Sequence, residues 1–411
     1  MSKALSPGAR ETFRFGLLQF LYYASIVSFE GFLVPWLRRQ GYSPARTGLV
    51  MSAIFVFAVF GQPLWGHLCD RIGKHKPVVA GSLLFAAGVA LLLPLSVQWF
   101  PVILLLALAY SASANSMPGN IDGWIMARRA VVPGVEYGVA RGMGSLGFAV
   151  AALGLGFLYQ RFGLGTMFPA YAVIAVAAAT VALATPDSAS AARAVPGLEA
   201  AVSRPLLPQT PHSLKAAALA VVTHREYRVF AASAVLLFIA FRAAMTFLPE
   251  LVLELGGVDS HIGAAHSVAA FSEIPIMLLA AVLVHRFKAD RLVLVAMLVF
   301  TARMTLYAFL RTPEALVLAQ ALHGPSFGLF IAASVHYIDE ISPAGHKSLF
   351  LALAPSLYFG AGSVIGSALA GQIVQHLGLH ALYVVVPVVV AFATALFLSM
   401  GLRLRSGSAE S

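Results

Sequence analysis

Charge is what this chain has least of. Of its 411 residues, 11% are Asp, Glu, Lys or Arg, against roughly 25% in an ordinary soluble domain. So little polar surface cannot coat a water-soluble globule. Cysteine is nearly missing: Cys69 stands alone, which excludes an intrachain disulfide and leaves the redox compartment unread. No G-x-x-x-x-G-K-S/T phosphate loop occurs, which argues against ATP-driven pumping. No H-E-x-x-H or clustered Cys–His signature is present, so neither a metal nor a cofactor is expected. Histidines such as His75, His212, His336 and His346 sit near expected loops. An enzyme reading therefore has little support. A transport-inactive sensor or scaffold is disfavoured too, because the terminal tails hold no signalling domain.

What is abundant is apolar length. Hydrophobic residues make up 59% of the chain and mean hydropathy is +0.85. A membrane-crossing helix needs about 20 apolar residues. Turn signals and charges divide the chain into twelve such spans: 15–37, 46–68, 77–96, 99–127, 137–160, 166–185, 227–253, 261–284, 290–311, 314–338, 347–374 and 378–402. The first run is too long for a cleaved signal, so it is read as a retained span. The expected fold is an all-α membrane protein of twelve transmembrane helices in two six-helix bundles. These occupy 1–185 and 227–411, joined by a Pro-, Ser- and Ala-rich cytoplasmic linker at 186–226.

The net charge of +10 does not point to nucleic acid, because the cations lie in the connectors. One side of the membrane receives nineteen Lys and Arg, including Arg71, Lys74, Lys76, Arg128, Arg193, Arg204, Lys215, Arg403 and Arg405. The other receives five: Arg38, Arg39, Arg46, Arg161 and Arg311. By the positive-inside rule both termini are cytoplasmic. Arg38, Arg39 and Arg46 run against the trend. "GVARG" (Gly138, Gly142) and "GSVIG" (Gly362, Gly366) occupy corresponding spans of the two halves. Their small-xxx-small spacing suits close helix approach, and two similar halves around a central site is a common transporter plan.

"GHLCDRIGKHKP" after the second span resembles the signature of the major facilitator superfamily, through Gly66, Asp70, Arg71, Gly73, Lys74 and Lys76. The resemblance implies a gating motif there, with Asp70 meeting a helix N-terminus. "EYGVARGMGSLGFAVAALG", "FSEIPIM" and "ALHGPSFGLF" resemble the branch holding lactose permease, nucleoside symporters and phenylpropionate permeases. The likeness is strongest to the last of these, around Glu273 and His323.

Three cations remain inside spans: Arg141, Arg242 and Arg303. No carboxylate lies within ten residues of Arg303. A charge at the bilayer centre costs roughly 2.5–3.5 kcal/mol on insertion scales, so it usually pairs and marks a pathway. Numbering gives depth, because antiparallel neighbours descend at equal rates. Glu273 and Arg303 are each fifteen residues from the turn near Lys288, and Arg303 and His323 are each ten from Pro313. Ten residues rise about 15 Å, half of a roughly 30 Å core. The three therefore share a midplane layer. The same arithmetic pairs Asp122 with Arg141 across the turn near Val132.

The family resemblance implies substrate contacts at Asp122, Arg141, Phe148, Glu273, Arg303 and His323, with Phe148 at the stacking position. The chain departs from the lactose permease pattern at Ser326 and Gln320, where that pattern has an acid and a lysine. Proton coupling then falls to Glu273 or Asp122, with His323 assisting. Glu30 and Arg242 are further cavity candidates, and Trp124 is read as a packing or lipid-facing residue. The expected activity is proton symport of a small polar or anionic organic solute by a monomer. Aromatic carboxylates are favoured, with sugars and nucleosides open. A proton-coupled exporter would want an apolar cavity with one isolated acid, which these charges fit less well.

Overall fold

The computed structural model describes residues 6–187, 223–343 and 347–400. The linker expected over 186–226 lies almost wholly outside the described residues, with Arg193, Arg204, His212 and Lys215. So do His346, Arg403 and Arg405. Among the described residues there are twelve long helical segments and no strand. They are α1 (Pro7–Arg39), α2 (Pro44–Ile72), α3 (Lys76–Leu92), α4 (Phe100–Arg129), α5 (Tyr137–Phe162) and α6 (Met167–Ala184). Then follow α7 (Arg225–Glu254), α8 (Asp259–Arg286), α9 (Ala289–Tyr307), α10 (Pro313–Ile341), α11 (Leu349–Leu377) and α12 (Leu379–Leu398). Ten helices are long and apolar enough to cross a membrane, and α2 carries a shorter apolar stretch over Pro44–Ala58. α9 holds three charged residues, Asp290, Arg291 and Arg303.

Local chemistry sets the ends. Ser6, Ser43 and Thr312 each accept a hydrogen bond from the first turn that follows, and each precedes a proline at the first helical position. The Ser6 cap is why α1 begins at Pro7, eight residues before the apolar run: its first turns are polar and need no hydrocarbon. Positive-φ glycines repeat between the halves. Gly41 and Gly256 follow α1 and α7, and Gly163 and Gly378 follow α5 and α11, with φ between 82° and 89°. Only glycine adopts this region without strain. The internal repeat is therefore written in the turns. It is not written in the glycine pairs of the spans: a Cβ at Gly138 or Gly142 would meet nothing within 4 Å, whereas one at Gly366 would stand 2.4 Å from the carbonyl of Ile239. Close approach in α5 falls instead at Gly147, against the backbone of Phe20 at 2.3 Å.

The two groups of six meet along α5 with α8 and α2 with α11. Large apolar side chains such as Leu105, Phe157, Val173, Leu278, Leu318 and Val388 are exposed around the outside, where lipid would cover them. At the face where α1 ends, the halves are sealed. Gly156 of α5 packs on Gly263 of α8, and Gly48 of α2 on Gly371 of α11. Arg38 pairs with Glu250 at 2.5 Å, and Arg39 forks onto Asp259 at 2.7 and 3.1 Å. Arg46 lies over the Phe100 ring at 5.3 Å. The three cations that ran against the charge trend are thus held by partners, two of them across the seam between the halves.

Candidate functional site

Between the halves lies a cavity of about 620 Å³. It reaches from Val34 and Pro249, under the seal, to Met277 and Ile331, nearer the opposite face. Its charged wall residues are Glu30, Arg141, Arg242 and Glu273, with His266 and His323 beside them.

On the α8–α10 side the side chains form one chain of hydrogen bonds. Arg303 Nη1 lies 2.7 Å from His323 Nδ1, and His323 Nε2 lies 2.8 Å from Glu273 Oε1. A guanidinium only donates, so Nδ1 is the acceptor. The ring proton is therefore on Nε2 and is donated to Glu273. Arg303 also donates to Tyr307 Oη and Gln320 Oε1, both at 2.7 Å, and more weakly to Ser326 Oγ at 3.4 Å. Gln320 and Ser326 are the two departures from the permease pattern, and both sit on Arg303. A lysine at 320 would oppose the guanidinium. Glutamine gives it a neutral acceptor, and Ser326 leaves it without a directly bonded carboxylate. Its counter-charge is Glu273, one imidazole away. Arg303 is 0% exposed and does not reach the cavity wall. The three are hydrogen-bonded in a row, but Arg303 stands behind His323 and off the cavity wall.

Backbone proximity builds this arrangement. Gly324 N–H donates to Ser272 Oγ at 2.8 Å, and a Cβ on Gly324 would stand 1.9 Å from the Ser272 carbonyl oxygen. That closeness puts His323 against Glu273, the residue after Ser272. A π-helical turn at Gly324–Gly328 follows, of the kind that gathers at functional sites. We expect Gly324→Ala to push α10 off α8 and abolish uptake, with the purified variant melting several degrees below wild type. A variant of unchanged melting temperature and uptake would refute the close approach.

On the α1–α5 side no direct ion pair joins Asp122 and Arg141 among the described residues, although each lies within the other's electrostatic reach. Asp122 accepts from Gln19 Nε2 at 2.8 Å, and the Arg141 guanidinium lies over the Tyr23 ring at 4.6 Å. Gln19 and Tyr23 are four apart on α1, hence on one face, and they take one partner each. Numbering gave the two groups one expected height but not their direction around the helix. Arg141 and Phe148 line the cavity, while Asp122 is not among its lining residues. Trp124 is fully buried, packs edge-on to Phe15 at 5.3 Å and donates to the Pro186 carbonyl. It faces neither lipid nor cavity. Arg128, counted with the connector charges, is buried and paired with Glu11.

Arg242 lines the cavity. It donates to Ser363 Oγ at 3.2 Å and lies 4.1 Å over Phe55, a residue of the other half. His266 was missed in the sequence. It lines the cavity, packs edge-on to Phe148 at 6.2 Å, and interacts with the backbone of Gly31. The available signal was its spacing: His266 is seven residues before Glu273, which places both on one face of α8. In the motif expected to gate, Gly73 caps α2 with φ +67°, and Arg71 and Lys74 are exposed. The Asp70 side chain lies outside what is described. A Cβ on Gly66 would meet only Asn120 Oδ1, at an ordinary 3.7 Å.

Twelve helices enclosing a charged, solute-sized cavity, sealed at one face, define a multi-pass membrane transporter. The MFS_1 like family model matches residues 13–385, and the chain belongs to that family of major facilitator transporters. It is 28% identical to a maltose permease of Geobacillus stearothermophilus, over 98% of this chain and 97% of the permease. It is 23% identical to the uncharacterized transporter YwbF of Bacillus subtilis (strain 168), over 90% of this chain and 87% of the relative. The crystal structure of nucleoside transporter NupG superposes with a TM-score of 0.79 at 17% identity, covering 96% of this chain and 100% of that one. The family consists of transporters of small molecules, not enzymes.

Proposed function

We propose that the chain is a proton-coupled symporter for a small organic anion, with an aromatic carboxylate the favoured class. It works as a monomer by alternating access in a bacterial-type cytoplasmic membrane, both termini in the cytoplasm. One observation carries the anion assignment. Arg141 and Arg242 both line the cavity, each stacked on an aromatic ring, and neither is in an ion pair among the described residues. In a low-dielectric cavity such a guanidinium binds a carboxylate strongly, and bidentately where geometry allows. Tyr23, Phe55 and Phe148 supply apolar surface for a ring. Glu273 and His323 form the facing wall, and an acid of the site links solute to proton.

A sugar reading is favoured by one specific finding, the whole-length likeness to a maltose permease. Sugar hydroxyls would use the same Arg141, Glu273 and His323. The test is uptake of radiolabelled 3-phenylpropionate, maltose and uridine into liposomes holding the purified protein, with the interior alkaline. The expected result is accumulation of 3-phenylpropionate, lost in Arg141→Ala with the melting temperature kept. Accumulation of maltose alone would replace the anion by a sugar. Uptake indifferent to the pH gradient would remove the proton.

A further inference from the structure

The cavity has a second polar corner, on the α1 side, that the reading above leaves unused. Glu30 lines the cavity, its Oε1 is buried, and no ion pair holds it among the described residues. The hydroxyls of Tyr110 on α4 and Tyr171 on α6 are buried beside it, with Tyr110 in reach of both Glu30 and Tyr171. The three belong to one cluster. The Tyr110 and Tyr171 rings are 5.6 Å apart, and both pack on Phe29, the residue before Glu30, at 4.7 and 5.6 Å. Tyr22 of α1 and Asn115 of the α4 π turn also interact with Glu30. Arg242 faces it from the other half.

A buried carboxylate with no cation paired to it is costly in its charged form. A carboxylate has acceptors only, whereas a carboxylic acid gains an O–H that a phenolic oxygen can accept. A proton taken from water on the open side therefore neutralises Glu30: one O–H bond forms on Glu30 as one breaks in hydronium. Glu273 is differently placed. It is the relayed counter-charge of Arg303 and already accepts from His323. Neutralising it would leave a buried guanidinium uncompensated, which is costly.

We propose that Glu30, with Tyr110 and Tyr171 as its hydrogen-bond partners, is the proton-carrying site of this cavity, and that Glu273 is not. This rests on the proton-symport reading and names the group that performs it. The charge on Glu30 attracts Arg242 across the seam between the halves. Its neutralisation therefore weakens an attraction between moving parts, which couples proton binding to rearrangement. It also frees Arg242 for the anion.

The test has two arms. In infrared difference spectra of the purified protein after an acid jump, the protonated-carboxyl stretch is lost in Glu30→Gln, retained in Glu273→Gln and shifted in Tyr110→Phe. In liposomes, with 3-phenylpropionate and maltose as probes, Glu30→Gln loses pH-driven accumulation while solute exchange persists; Glu273→Gln loses both. Accumulation by Glu30→Gln equal to wild type overturns this proposal alone. So does a carboxyl band that vanishes in Glu273→Gln and survives in Glu30→Gln. Loss of exchange as well in Glu30→Gln would make Glu30 a solute ligand and overturn it. A wild type that exchanges solute without pH-driven accumulation overturns this proposal and the symport reading together.

Discussion

Arg303→Ala loses most of its uptake, and Arg303→Lys does not restore it. The guanidinium is the hub of a saturated polar layer. Its donors fix Tyr307, Gln320 and the tautomer of His323, and through His323 the orientation of Glu273. Without it, three buried acceptors lose their donor, each at about 1–3 kcal/mol. Relief of a buried charge offsets part of that loss. The net fall in stability is therefore smaller than the sum, while the loss of orientation at the cavity wall is complete. Lysine carries the charge but not the planar fork that reaches three acceptors at once. Uptake and melting temperature measured together decide the matter. Lysine restoring full uptake would mean that charge alone matters and that the forked network does not.

Gly48→Leu combined with Gly263→Leu holds the face around Arg39 and Asp259 open and stops transport. A Cβ at Gly263 would stand 2.3 Å from the Ala152 carbonyl oxygen and one at Gly48 2.6 Å from that of Ser367. These are backbone atoms of the opposite half, so no side chain can rotate out of the way. Packed interfaces respond by separating, not by compressing. The cavity residues are untouched, so solute should still raise the melting temperature. Spin labels on Arg39→Cys and Asp259→Cys, in a Cys69→Ser background, should move apart by several ångströms relative to the protein with native glycines. An unchanged label distance together with normal uptake would show that these contacts are not the seal.

The ion pairs on the same face matter less. Arg38–Glu250 and Arg39–Asp259 are partly exposed, and such pairs contribute about 0–1 kcal/mol. Breaking them should speed opening without abolishing transport.

Much of the site was legible by arithmetic. Equal rise along antiparallel helices put Glu273, Arg303 and His323 at one height, and they form one hydrogen-bonded chain. The same arithmetic set Asp122 level with Arg141 but could not reveal that Gln19 takes the acid and the Tyr23 ring the guanidinium. Height is a one-dimensional quantity, fixed by counting residues from a turn. Azimuth depends on how neighbouring helices rotate to bury their small residues, and Gly144 and Gly147, not Gly138 and Gly142, turn α5 toward α1. The three π turns at Ser111–Asn115, Gly324–Gly328 and Ser356–Ala361 add further rotation inside α4, α10 and α11. No residue pattern in those spans announced them.

What the amino-acid sequence determined by itself was the solvent and the scaffold. Scarce charge and twelve apolar runs leave only helices that satisfy their own backbone in lipid, and glycine-bearing turns repeat across the halves. What only the tertiary structure decided was which polar groups meet. Arg303 proved to be hidden behind His323, Arg242 to reach across the seam, and Glu30 to share a corner with two tyrosines. Partnership between helices depends on rotation and close approach at the level of single ångströms, which side chains from distant parts of the chain settle jointly.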